Sequence, residues 1–212
     1  MNEKPFSPSC ERNREPILSV LREQFADRRR VLEIGSGTGQ HAICFATALP
    51  HLIWQTSDRS ENLAGIQMWL DEAALPNTPA PRVFDVAEQD APTPHNSDAA
   101  GKAASIRYDA IFSANTLHIM SWAEVEKFFD ALPALTTADA RLVIYGPFNY
   151  RGEFTSASNA AFDRSLKQRD PQMGIRDFDD VTRLATSGGF MPLDDVAMPA
   201  NNRCLVWQRM NA

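Results

Sequence analysis

The run Val31-Leu32-Glu33-Ile34-Gly35-Ser36-Gly37-Thr38-Gly39-Gln40-His41 decides the fold. An apolar stretch, Val31 to Ile34, stops at Gly35. Glycines recur at 35, 37 and 39, and a helix-compatible run from Ala42 to Leu49 follows. The pattern is a strand, a tight glycine loop and a helix. Glycine has no Cβ and tolerates positive φ, so such a loop brings backbone close to a ligand. The helix start behind it offers unpaired N–H groups. A nucleotide-like ligand is expected here.

Outward from this run, strands and helices alternate. A helix is expected over 14–26, where Ile17, Leu18, Leu21 and Phe25 share a face and Pro16 falls in a first turn that tolerates it. Strand 30–35 and helix 40–49 hold the glycine loop. Strand 52–57, helix 60–74 and a short strand at 82–85 come next. Residues 87–105 are rich in Ala, Pro, Asp and Ser and read as an exposed loop. Strand 108–113, helix 121–133, strand 141–145 and helices near 157–169 and 177–187 follow, with Gly188-Gly189 as a helix stop. The runs 191–198 and 203–209 are close enough to pair antiparallel. This order predicts a doubly wound α/β fold, its sheet mostly parallel with a C-terminal antiparallel hairpin. Ligands of such sheets sit at the carboxyl ends of the strands.

The chain has 212 residues, 43% hydrophobic and 23% charged, and is expected to form one domain. No apolar run approaches the roughly 20 residues that span a bilayer, so no membrane is expected. Met1-Asn-Glu-Lys-Pro-Phe-Ser-Pro8 lacks the layout of a signal peptide. Cys10, Cys44 and Cys204 show no paired spacing, which suits a reducing cytoplasm and no metal centre. The net charge of −6 disfavours a nucleic-acid partner. Arg28-Arg-Arg30 reads as a solvated lead-in to the first strand.

A dinucleotide loop is G-x-G-x-x-G, and here its third position is Gln40, the glycine falling one place early at Gly39. A Walker loop is excluded because no Gly-Lys-Ser/Thr follows. Glu33 would repel a diphosphate but suit a cationic ligand. Asp58, about 20 residues past the loop, stands where an acid accepts ribose hydroxyls. Asp85 ends the third strand, where it can bond an adenine amine. Each acid alone also fits a turn or a helix cap. Together they suit a ligand with a ribose, an adenine and a positive charge, and no phosphate. S-adenosylmethionine has that makeup.

These residues, with Asp109-Ala-Ile-Phe-Ser-Ala-Asn-Thr-Leu-His118, resemble the successive motifs of class I S-adenosylmethionine-dependent methyltransferases, over roughly residues 30–209. The resemblance implies a Rossmann-like seven-stranded sheet. More narrowly, Phe6–Ile17, Tyr145–Asn149, Gly152–Asn159, Phe162-Asp163 and Gly174–Asp177 are similar to the DUF938 or UPF0585 group, which includes methyltransferase-like protein 26.

The resemblance implies that Gly35, Ser36, Gly37 and Gly39 run along the cofactor, Glu33 faces its ammonium, Asp58 takes the ribose, and Asp85 with the Val86 N–H reads the adenine. Asn115 would hold the ammonium or face the substrate. Residues 1–29 would cap the site, with Arg12 and Asn13 at the cofactor carboxylate; a solvated leader is the other reading. His118, at the exit of the fourth strand, is the candidate catalytic base; the bland alternative is a structural histidine. Tyr145 would line the substrate pocket, with Trp122, Phe148 and Tyr150 as an aromatic wall. The Pro-Pro motif of many amino-group methyltransferases is absent after Asn115, which points to a small-molecule acceptor. A non-catalytic cofactor-binding module and, further off, an NAD-dependent oxidoreductase are the alternatives.

Overall fold

The computed structural model describes residues 4–88 and 106–210. Helix α1 (Pro8–Gln24) leads into β1 (Arg30–Ile34), α2 (Gln40–Ala48), β2 (Ile53–Asp58), α3 (Leu63–Ala73) and β3 (Arg82–Val83). Then come β4 (Tyr108–Ala114), α4 (Trp122–Leu135), β5 (Thr136–Gly146), β6 (Phe148–Asn149), α5 (Ala157–Arg169), β7 (Arg176–Asp177), α6 (Phe178–Ser187), β8 (Phe190–Met198) and β9 (Asn202–Arg209). The main sheet has seven strands in the order β3-β2-β1-β4-β5-β9-β8. β1 to β5 run parallel; β9 is antiparallel to both β5 and β8. The expected hairpin is therefore present, with its second strand inserted between β5 and β8.

The order reverses at β1, whose neighbours are β2 and β4. Crossovers on either side of that point leave a crevice at the strands' carboxyl ends. The glycine loop, Asp58, Asn115 and Tyr145 all sit at those ends.

Side chains alternate across the sheet, and two apolar layers result. Val31, Ala110, Phe112, Val143 and Val206 pack with Ile17, Leu21, Phe25 and Phe45 of the α1–α2 side. Leu32, Ile111, Leu142, Ile144 and Leu205 pack with Val125, Phe128, Phe129 and Val181 of the α4–α6 side. Glu33 has the parity of Val31, so its side chain turns onto the α1–α2 face.

The structure differs from the sequence reading in three places. Helix α1 starts six residues earlier than expected. Pro8 occupies its first turn and Pro16 lies inside the helix. The polar stretch 8–13 is helical because α2 and the glycine loop supply partners the sequence does not display. β5 begins at Thr136, directly after α4. β6 and β7 form a separate two-stranded pair, too short to carry a periodic signal. Of the exposed loop expected over 87–105, only residues 87 and 88 lie within the described part.

Candidate functional site

Gly35, Gly37 and Gly39 all have positive φ, at 74°, 57° and 90°. A Cβ on Gly35 would stand 2.4 Å from Thr116 Cγ2, so this glycine lets the loop close on the β4 exit. A Cβ on Gly37 would meet nothing within 4 Å, because that residue faces the open cleft. Gly39 caps α2 and lies against Ile66 of α3, 3.3 Å from a would-be Cβ to the Ile66 Cα. Its role is close helix packing, and it does not line the cleft.

Asp58 ends β2 and is 7% exposed. One carboxylate oxygen accepts the Gly37 N–H at 2.7 Å. The other accepts the Arg59 N–H at 2.8 Å and Asn62 Nδ2 at 2.7 Å. The acid and the loop are thus one unit, although 21 residues separate them. Ser36 uses its hydroxyl on scaffold, accepting the Ser57 N–H at 3.1 Å. Asp85 accepts the Ala87 N–H at 2.9 Å, an Asx turn that leaves its second oxygen for other partners.

Glu33 is placed otherwise than expected. It is 1% exposed, accepts Trp54 Nε1 at 2.9 Å and lies beneath the loop, outside the cleft lining. Burial pushes its carboxyl up to about 7. The signal was available in its parity with Val31; its partner on β2 was not.

The N-terminal strap is tied down by long-range bonds. Gln40 Oε1 accepts the Ser7 N–H at 2.6 Å and Thr38 Oγ1 at 3.0 Å, and its Nε2 donates to Glu11 at 3.2 Å. Trp69 Nε1 donates to the Pro5 carbonyl at 2.8 Å. Asn13 is buried, which does not suit a solvated leader, and its Oδ1 lies 2.7 Å from His41 Nε2. Cys10 Sγ approaches the other ring nitrogen at 3.9 Å. Burial pushes His41 down to about 4, so this ring is neutral near pH 7.

One cleft of about 1910 Å³ gathers Arg12, Asn13, Gly35, Ser36, Gly37, Asp58, Asp85, Val86, Asn115 and His118. That volume exceeds the roughly 300–1,000 Å³ of a single small-ligand site, so two ligands fit together. His118 is 7% exposed and lines the far half. Its ring nitrogens have no hydrogen-bond partner among the described residues. Phe162 meets it edge-on at 5.3 Å. Burial, then the charges of Arg176 and Arg169, push His118 down to about 4. Arg176 braces this corner, donating to the carbonyls of Leu117, Met120 and Gln172.

Tyr145 lines the cleft as expected; Trp122, Phe148 and Tyr150 do not. Phe148 is core, and Phe162 supplies the aromatic face instead. Asn159, Asn201, Asn202 and Arg169 also line the cleft, and of these only Asn159 fell in a motif quoted from the sequence. The β8–β9 turn reaches it with Ala200 and Asn201 at positive φ, pinned by Asn159 Nδ2 on the Asn201 carbonyl at 3.1 Å.

A family profile described as "Protein of unknown function (DUF938)" matches residues 4–209. The chain belongs to the DUF938 family. Solved structures agree with the class I methyltransferase fold. An O-methyltransferase family protein from Burkholderia thailandensis superposes with a TM-score of 0.74 at 15% identity, covering 96% of this chain and 58% of its own. Human N-acetylserotonin methyltransferase, solved in complex with SAM, gives 0.75 at 11% identity, with 96% and 53% covered. A putative O-methyltransferase from Nostoc punctiforme gives 0.76 at 15%, with 95% and 57% covered. This DUF938 chain spans a little over half the length of those proteins. Among its described residues, no helix is long and apolar enough to cross a membrane.

Proposed function

We propose that this protein is an S-adenosylmethionine-dependent methyltransferase acting on a small molecule. The observation that carries the reading is the Asp58–Gly37 bond within a two-ligand cleft. It presents a carboxylate and an open glycine backbone side by side at the switch point, where a ribose is held. The residues present fit the cofactor. Asp58 retains lone pairs for hydroxyls, Asp85 one free oxygen for an exocyclic amine, and Gly37 adds no side chain to obstruct a ligand. When bound, the cofactor supplies a methyl group on a sulfonium, already activated for in-line displacement.

The chain's own residues then bind, orient and accept a proton. Asp58 and Asp85 orient the donor; α1 covers it through Gln40 and Asn13. His118, neutral and with no hydrogen-bond partner for its ring nitrogens among the described residues, lines the cleft and takes the acceptor's proton on an imidazole nitrogen. A dinucleotide fits less well, because Gln40 occupies the third-glycine position and its side chain is spent on the strap.

Calorimetric titration with S-adenosylhomocysteine and, separately, with NAD tests the reading. Binding of the first alone is expected; binding of NAD alone would overturn it. Binding without any transfer of labelled methyl to a metabolite extract would favour a non-catalytic module.

A further inference from the structure

Among the described residues, one cation of the cleft lining has no hydrogen bond or ion pair. Among the described residues, the cations of the lining are Arg12, Arg59, Lys127 and Arg169. Arg12 Nη2 donates to Ser9 Oγ at 3.1 Å. Arg59 pairs with Glu61 at 3.3 Å. Lys127 donates to the Ala87 carbonyl at 2.8 Å. Arg169 has no hydrogen bond or ion pair with any described residue.

Arg169 is the last residue of α5, where a basic side chain ordinarily answers the helix dipole. Lys167 already serves that end and is paired with Asp163 at 2.7 Å. Arg169 instead lines the cleft, and its charge acts on His118. Asp170 accepts the Gln172 N–H at 2.8 Å through one carboxylate oxygen, Glu124 accepts the Ser121 N–H at 2.6 Å in a capping box, and neither is paired with Arg169.

Apolar side chains and a hydrogen-bonded asparagine also line the cleft. Phe162 is 38% exposed and offers a ring face, with Ile119 and Met173 also lining the cleft. The Asn159 amide nitrogen is used on Thr155 and on the Asn201 carbonyl. A chain of net charge −6 repels anions in general, so an exposed guanidinium at the cleft with no partner among the described residues is a selective feature. A guanidinium matches a carboxylate with two parallel N–H donors.

We propose that the methyl acceptor is a small aromatic acid, its carboxylate seated on Arg169, its ring against Phe162 and its nucleophilic atom beside His118. This rests on the methyltransferase reading. Arg169 would then set specificity, and His118 would serve whichever acid fits.

The full chain, saturated with S-adenosylhomocysteine, is titrated by calorimetry with 4-hydroxybenzoate and 4-hydroxybenzamide. A second pair is 4-hydroxyphenylacetate and its amide. In at least one pair the acid is expected to bind about tenfold tighter than the amide. Arg169→Gln should abolish that preference and leave S-adenosylhomocysteine affinity and the melting temperature unchanged; Arg169→Lys should keep part of it. The inference is overturned if acids and amides bind alike, if neither binds, or if the preference survives Arg169→Gln. Failure of S-adenosylhomocysteine to bind overturns the methyltransferase reading and the inference with it. Its binding without any acid preference overturns the inference alone.

Discussion

Asp58 and Gly35 show how single residues set the glycine-loop side of the cleft. Asp58 accepts from Gly37, Arg59 and Asn62, so it shapes the loop before any ligand arrives. Asp58→Ala should weaken S-adenosylhomocysteine at least about tenfold, because a hydrogen bond to a charged group contributes roughly 1.5–3 kcal/mol. Calorimetry beside a melting curve separates lost contact from lost fold; unchanged affinity removes Asp58 from the site. Gly35→Ala drives a methyl into Thr116 Cγ2 at a positive φ. It should destabilise by about 1–3 kcal/mol in urea unfolding. Thr116→Ser deletes that methyl but keeps the hydroxyl bonded to Ser113, so in the double variant it should recover part of the loss. A purely additive result would mean that backbone strain alone carries the cost. Asp58 and Gly35 were legible because strand, turn and spacing are local. Glu33's position was not, because it depends on Trp54 in another strand.

At the scale of elements, α1 and α2 close one side of the cleft through Gln40, which bonds chain 33 residues away at Ser7. Gln40→Gly would restore the dinucleotide spacing and remove the clamp on the strap. Residues 4–13 should then become more sensitive to brief proteolysis, and S-adenosylhomocysteine should dissociate several-fold faster in stopped flow. An unchanged off-rate would mean that the strap does not cover the cofactor. Trp69→Phe removes only the bond to Pro5 and should give a smaller effect of the same sign. Periodicity marked α2, α5 and α6 to within about a residue or two because their own patterns define them. It misplaced the start of α1, where Asn13 and Gln40 satisfy polar groups that look solvent-bound in the sequence.

For the whole molecule, the buried titratable groups give stability a distinct pH dependence. His41 and His118 are held down to about 4, below the ordinary 6.5. The unfolded chain therefore binds more protons than the folded one between those values, and stability falls as pH drops through that window. Each ring contributes on the order of 3 kcal/mol to that fall. Glu33 acts with the opposite sign. Its carboxyl is raised to about 7 from 4.5, so its contribution is complete at low pH and is lost as pH rises towards 7. Glu33→Gln keeps an acceptor for Trp54 Nε1 and should gain stability relative to the parent at pH 8 but not at pH 4.5. Urea midpoints across pH 4 to 8 check both statements, and parallel curves for parent and variant would refute the second. The sequence by itself determined the alternation of strands and helices, the glycine loop and the acids at the strand ends, because each is written in local pattern and spacing. Only the tertiary structure decided that Glu33 turns away from the cleft, that Gly39 packs a helix, that Phe162 packs on His118, and that Arg169 lines the same cleft. Those relations join segments far apart in the chain, and the packing of the sheet's two faces alone brings them together.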